Sequence, residues 1–205
     1  MARRVDPQLH AMRRNQILDA ALALIDERGF EHMTMQDVVV EAATSIGNLY
    51  HYFPNKDALL EAVVQRLMES VKCQADQVTR ELEPGWVHLS CSIYVLVEAM
   101  LAHRELARLI LAGGPYAALR ERTLGIYRAG LRTFFNNNTQ LLDTDWLAVA
   151  MLGSFALLLE AVIDGSLNGD GFRVWRFLMQ WSLRAMRIVD CEPILSASEH
   201  HLNSL

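Results

Sequence analysis

Apolar residues recur with a helical period along almost the whole chain. Ile17, Ala20, Ala21 and Leu24 are spaced i, i+3, i+4 and i+7, which places them on one face of a helix over about 7–28. Gly29 follows as a natural left-handed stop. Thr34 precedes Met35, Val38, Val39 and Ala42, again a single face, and Thr34 and Asp37 have the spacing of a capping box with aspartate in the acidic position. A third short helix starts near Ser45 and ends before Pro54. Asn55 caps a long helix over about 56–82, with Asp57 in the first turn, where negative charge suits the helix dipole. Past Pro84 and Gly85 the pattern predicts helices over about 86–103 and on to 112, then a break at Gly113, Gly114 and Pro115. A helix over about 116–135 follows, then a polar turn at Asn136, Asn137 and Asn138. Two last helices are predicted over about 145–164 and 171–189, before a polar tail from Cys191 that is expected to fray. No run of alternating β-branched residues between turn signals predicts a strand, so the fold class is all-α.

The last two helices are patterned differently from the rest. Ala148, Leu152, Phe155, Leu159 and Ile163 share one face, and Trp175, Met179, Ser182 and Met186 do the same on the final helix. Leu147, Met151, Leu158 and Val162 are apolar too, so the first of the pair is greasy on nearly every side. Such a helix must be buried on both faces. One face can meet its own chain and the other a second copy, giving a four-helix bundle across a two-fold axis. The candidate dimer interface is Ala148, Leu152, Phe155, Leu159, Ile163, Trp175, Met179 and Met186.

Composition narrows the class. Of 205 residues 52% are apolar, enough for a sizeable core rather than disorder. The three cysteines, Cys73, Cys91 and Cys191, are widely spaced and suggest neither a disulfide framework nor a zinc pair, as in a reducing cytoplasm. The N-terminal arginines have no apolar run behind them, so no secretory signal is expected. The longest uncharged apolar run, 146–159, is shorter than the roughly 20 residues that span a bilayer. It is expected to be a buried helix, with no membrane partner.

Net charge is −5, unhelpful to a nucleic-acid binder, and residues 1–57 hold six cationic side chains against eight acidic ones. The positive charge is focused at the leading arm, where Arg3, Arg4, Arg13 and Arg14 face only Asp6. A patchy field and salt-sensitive phosphate affinity follow. The informative stretch is 34–56: two short helices, a small-residue step between them, and a capped third helix. That is the pattern of a helix-turn-helix DNA reader. With Leu49 and Phe53 turned inward, the helical period turns Gly47, Asn48, Tyr50 and His51 outward. Asn48 can pair with an adenine edge, Tyr50 and His51 can donate to phosphates, and Gly47 allows close approach to a backbone. Lys56 adds a cation beside the free N–H groups of the next helix.

Over about 13–62 the chain resembles the TetR family of bacterial transcriptional regulators. The resemblance rests on Arg14, Ile17, Leu18, Ala20, Ala21 and Gly29, on Thr34, Val38, Ala42, Ser45 and Gly47, and on Leu49, Tyr50, Phe53, Lys56, Leu59 and Leu60. It implies a dimer of nine or ten helices per chain. The N-terminal helices would sit on a near-palindromic operator, the variable C-terminal helices would bind a small-molecule effector, and repression is the default. It also implies DNA contact at Thr34, Ile46, Gly47, Tyr50, His51 and Lys56. With the residue reading, the candidate DNA-binding set is Thr34, Ser45, Ile46, Gly47, Asn48, Tyr50, His51 and Lys56. Two departures matter. Ala43 and Thr44 stand where the family usually has glycine and an apolar residue, and alanine tolerates a left-handed turn poorly. Ile46 stands where lysine or arginine is frequent, leaving it between packing at the core edge and contact with a thymine methyl.

Residues 1–55 are thus expected to form the DNA-binding domain and 56–205 a helical effector-binding and dimerisation domain. The candidate effector residues are Trp86, His88, Cys91, Tyr94, Glu98, Tyr116, Tyr127, Met151 and Phe155. They combine aromatic and sulfur groups suited to an adaptable apolar pocket with a few polar groups set among them. The same residues also suit an ordinary core, and Glu98 a solvent-facing stripe. There is no Gly-rich phosphate loop, His-Glu-x-x-His pair or nucleophile elbow, so no enzyme and no cofactor are expected. His88 and Cys91 are spaced for one metal, but two ligands do not make a site. The alternative to an effector-controlled regulator is a DNA-binding regulator without a small-molecule effector.

Overall fold

The computed structural model describes residues 7–111, 116–138 and 143–204. Among these residues there are ten α-helices and no strand. They are α1 (Pro7–Arg28), α2 (Met35–Glu41), α3 (Ile46–Tyr52), α4 (Lys56–Val78) and α5 (Trp86–Ala102), then α6 (Arg104–Leu111), α7 (Ala117–Asn138), α8 (Thr144–Ile163), α9 (Gly171–Ala185) and α10 (Glu192–Asn203). The predicted break at Gly113, Gly114 and Pro115 and the leading Arg3 and Arg4 lie outside the described residues.

The contacts divide the chain into two units at Ser70 and Val71, inside α4, rather than at its start. The reason lies in the first turns of α4. Leu59, Leu60, Val63 and Val64 are buried with Ile17, Leu18, Ala21 and Leu24 of α1 and with Leu49 and Phe53 of the α3 segment in the core of the first unit. Arg66 fastens the same stretch of α4 to α1, donating to the Asn15 carbonyl at 3.1 Å and to the Asp19 carboxylate at 2.5 Å. Gly29 ends α1 at φ 79, its amide donating to the Ile25 carbonyl at 2.8 Å.

In the second unit α5 packs on α9 and α10, and α7 on α8. The Trp175 indole of α9 is fully buried and donates to the Ser90 carbonyl of α5 at 2.8 Å. The predicted polar turn at Asn136, Asn137 and Asn138 is helical, because α7 continues through all three before it stops. The tail does not fray. Pro193 sits in the first turn of α10, where its missing N–H costs nothing. Leu195 and Ser198 are fully buried, and Arg176 of α9 pairs with both Glu192 and Glu199. By length and composition Asp145–Ile163 of α8 would suffice to cross a bilayer, a longer stretch than 146–159 alone. It packs against α5, α6, α7 and α9, and less than half of it is buried.

Candidate nucleic-acid interface

The reader is built from two capped helices of seven residues each. The capping box at α2 is present. The Thr34 hydroxyl accepts from the Asp37 amide at 3.1 Å, and the Asp37 carboxylate accepts from the Thr34 amide at 2.8 Å and from its hydroxyl at 2.7 Å. Those bonds hold the Asp37 carboxyl below the usual carboxylate range. Thr34 is exposed, but its hydroxyl proton is already given to Asp37, so its first role is to hold the start of α2.

The step between the helices carries the strain expected from its composition. Ala43 has φ 46, a left-handed conformation that a Cβ disfavours. Ala43→Gly is expected to stabilise the chain by about 0.5–1 kcal/mol. Urea melts of the two proteins would measure this, and a less stable glycine variant would refute it.

Ser45 caps α3 by accepting from the Asn48 amide at 3.2 Å. Leu49 and Phe53 are buried, so the period of α3 presents Ile46, Gly47, Tyr50 and His51 outward. Ile46 is 44% exposed and Tyr50 48%, which places Ile46 on the exposed face of α3 rather than in the core. A Cβ at Gly47 would meet no atom within 4 Å, so the glycine keeps this surface low. Asn48 corrects the sequence reading. It is half-buried and its amide donates to the Thr44 hydroxyl at 2.8 Å, so it closes the turn instead of pointing freely outward.

Lys56 is also held rather than loose. Its Nζ donates to the Glu31 carbonyl at 3.2 Å and lies 4.4 Å from the centre of the Phe30 ring. Arg14 places a second cation beside this unit, 5.5 Å from the Phe53 ring centre. The sequence reading missed a cluster next to α3. His10 lies 4.6 Å from the Tyr52 ring, His51 lies 5.5 Å from it, and the Tyr52 hydroxyl donates to the His10 carbonyl at 3.4 Å. Forty-two residues separate the bonded pair, and no local pattern marks it.

The second unit contains a cavity of about 210 Å³. Of the candidate effector residues, Tyr127, Met151 and Phe155 line it, beside Leu89, Ile93 and Leu96 of α5. The others lie elsewhere. Trp86 packs on Phe134 at 4.9 Å, and Tyr94 packs on Trp175 at 5.7 Å. Cys91 is fully buried with its thiol 4.0 Å from the Ser198 carbonyl of α10, and burial pushes that thiol up to about 11. Glu98 is exposed and abuts Gly171, where an added Cβ would meet its carboxylate. Burial and the facing Glu98 raise the Tyr94 hydroxyl above its ordinary value. His88 and Tyr116 are half-buried and are not among the lining residues. Among the described residues no group of three His, Cys, Asp or Glu side chains is placed to hold a metal ion.

The candidate dimer residues also need correction. Ala148, Leu152, Phe155, Leu159, Ile163, Trp175 and Met179 are buried within the chain itself, and Met186 is the half-buried C-cap of α9. A partner could not reach the buried seven. The exposed apolar face of the same helices is instead Trp146, Val149 and Leu157 on α8 with Phe177 and Trp181 on α9. Phe177 borders two surface grooves, one along α9 with Trp181 and Arg184 and one with Leu158, Val162 and Leu167.

Comparison with known proteins follows the same division. The family "Bacterial regulatory proteins, tetR family" matches residues 17–63. The HTH-type transcriptional repressor KstR of Mycolicibacterium smegmatis is 38% identical over 65 residues, 32% of this chain and 32% of KstR. The chain thus spans about a third of the length of this curated relative. Over most of its length it is similar in fold to two solved structures. One is RolR with the ligand resorcinol, at TM-score 0.62 and 23% identity, covering 88% of this chain and 90% of that one. The other is FadR from Bacillus subtilis in complex with stearoyl-CoA, at TM-score 0.66 and 17% identity, covering 82% and 96%. Residues 17–63 thus match the TetR family of transcriptional regulators, and over most of its length the chain shares the fold of these two solved structures.

Proposed function

We propose that this protein is a homodimeric repressor, working in the cytoplasm, that leaves a near-palindromic operator when a small apolar or aromatic effector binds its C-terminal unit. The observation that carries the reading is the presented face of α3. Ile46, Gly47, Tyr50 and His51 stand outward because Leu49 and Phe53 are buried behind them and Ser45 caps the helix. In this reading Tyr50 and His51 donate to phosphates, Ile46 packs on a thymine methyl, and the tethered Lys56 supplies a fixed cation. Support for repression comes from KstR, a transcriptional repressor by name, and support for an effector from the solved relatives with resorcinol and stearoyl-CoA.

The exposed apolar residues of α8 and α9, two helices that pack together, are the proposed dimer surface, since several large water-facing apolar side chains on neighbouring helices suit an interaction site. Two copies would set two recognition helices about 34 Å apart, in successive major grooves. The effector acts only through its difference in affinity between the DNA-competent and incompetent states. A tenfold loss of operator affinity therefore needs about 1.4 kcal/mol of coupling, and operator must weaken effector binding by the same factor.

Selection from random duplexes, followed by binding titrations over a range of salt, tests the DNA half. A two-fold-related pair of half-sites is expected. Lys56→Ala should weaken every sequence alike and lower the salt slope by about 1, whereas Ile46→Ala should relax preference at a single base step. Selection that returns no preferred sequence would remove the operator from this reading.

A further inference from the structure

The cavity restricts its ligand more tightly than the functional reading does. We infer that it takes an uncharged aromatic molecule of one or two rings; this deepens the effector role proposed above and rests on it.

Charge is decided by the walls. Among the described residues, none that lines the cavity is Asp, Glu, Lys, Arg or His. The hydroxyls of Ser92 and Tyr127 are its polar side-chain groups. Ser92 already donates to the His88 carbonyl of its own helix at 2.9 Å. Tyr127 stays a neutral phenol, because burial pushes it up to about 12. A carboxylate or ammonium placed here would lose part of its hydration without gaining a counter-charge from the described lining. A neutral hydroxyl or carbonyl can instead meet the Tyr127 phenol.

Size follows from the volume. A cavity of roughly 150 Å³ lined by leucine, isoleucine and phenylalanine stays dry and binds benzene. The cavity here, at about 210 Å³, is somewhat larger, has a similar lining and opens on one side to solvent. That suits a substituted single ring or two fused rings. Aromatic character follows from the partners: Phe155 and Tyr127 offer ring faces and edges, and the Met151 thioether favours an aromatic edge.

The test uses four probes on the full-length protein: naphthalene, 2-naphthol, 2-naphthoate and pyrene, titrated at neutral pH by calorimetry or tryptophan fluorescence. Naphthalene and 2-naphthol should saturate at one molecule per chain. The naphthoate anion, of similar size, should bind at least about 100-fold more weakly. Pyrene has the same neutral chemistry on four rings, overfills the cavity and should bind at least about tenfold more weakly than naphthalene. Tyr127→Phe should weaken 2-naphthol by about tenfold while leaving naphthalene unchanged, which separates a lost hydrogen bond from a damaged fold. The inference is overturned if 2-naphthoate binds within tenfold of 2-naphthol, if pyrene binds as tightly as naphthalene, or if neither small neutral ring binds. Operator titration of the same preparation separates the two levels. A protein that holds operator but not naphthalene refutes the ligand class alone. One that binds naphthalene without any change in operator affinity keeps the ligand class and refutes the effector role.

Discussion

Leu157→Glu combined with Phe177→Glu should yield a folded monomer that binds operator at least about 100-fold more weakly than the parent. Leu157 is 68% exposed on α8 and Phe177 55% exposed on α9, so neither change disturbs the chain's own core. Both put charge on the apolar face assigned to the partner copy, where a two-fold axis brings like charges together. A monomer has one recognition helix and loses the effective concentration that joins the second half-site to the first. Sedimentation equilibrium reads the mass, circular dichroism the fold, and operator titration the consequence. The contrast is Leu159→Glu. Leu159 is fully buried, so that change should unfold the second unit instead of splitting a dimer. A double variant that sediments as a dimer would place the interface elsewhere.

Trp175→Ala should cost about 3–5 kcal/mol, a large part of the roughly 5–15 kcal/mol that holds an ordinary domain. The indole is fully buried and lies 5.7 Å from the Tyr94 ring and 5.3 Å from Phe172. Its removal leaves a cavity between α5 and α9 and strips the Ser90 carbonyl of its 2.8 Å donor. Trp175→Phe keeps most of the volume and loses the donor, so it should cost clearly less. Urea melts of both variants measure the difference. A Trp175→Ala loss below about 1 kcal/mol would show that the α5–α9 contact closes around the gap.

How far the sequence reaches depends on whether a property is local. The start of α2 was legible because the Thr34–Asp37 capping box is closed by residues three apart. Leu49 and Phe53 were legible as core because the helical period puts them one turn apart. The strain at Ala43 followed from a residue type meeting a known turn. Asn48 was misread because spacing gives the direction of a Cβ but not the choice of a flexible amide, which here takes Thr44. The His10–Tyr52 contact joins residues far apart in the chain, so no periodicity could show it.

The C-terminal half shows the other side of the same rule. A helix apolar on nearly every side establishes that both faces need covering, but not which face its own chain covers. The apolar stripe through Ala148, Phe155 and Leu159 turned out to be intramolecular, and Trp146, Val149 and Leu157 are left outside. Likewise composition announced an aromatic, sulfur-rich half, while only packing decided that Tyr127, Met151 and Phe155 border a cavity, that Cys91 is buried against α10, and that the half-buried Trp86 and Tyr94 pack on neighbouring rings. Helix, cap and reader were determined by the sequence alone because they arise from neighbours within one or two turns. The interface and the cavity were decided by the tertiary structure, because each depends on which of several equally apolar faces meets another helix.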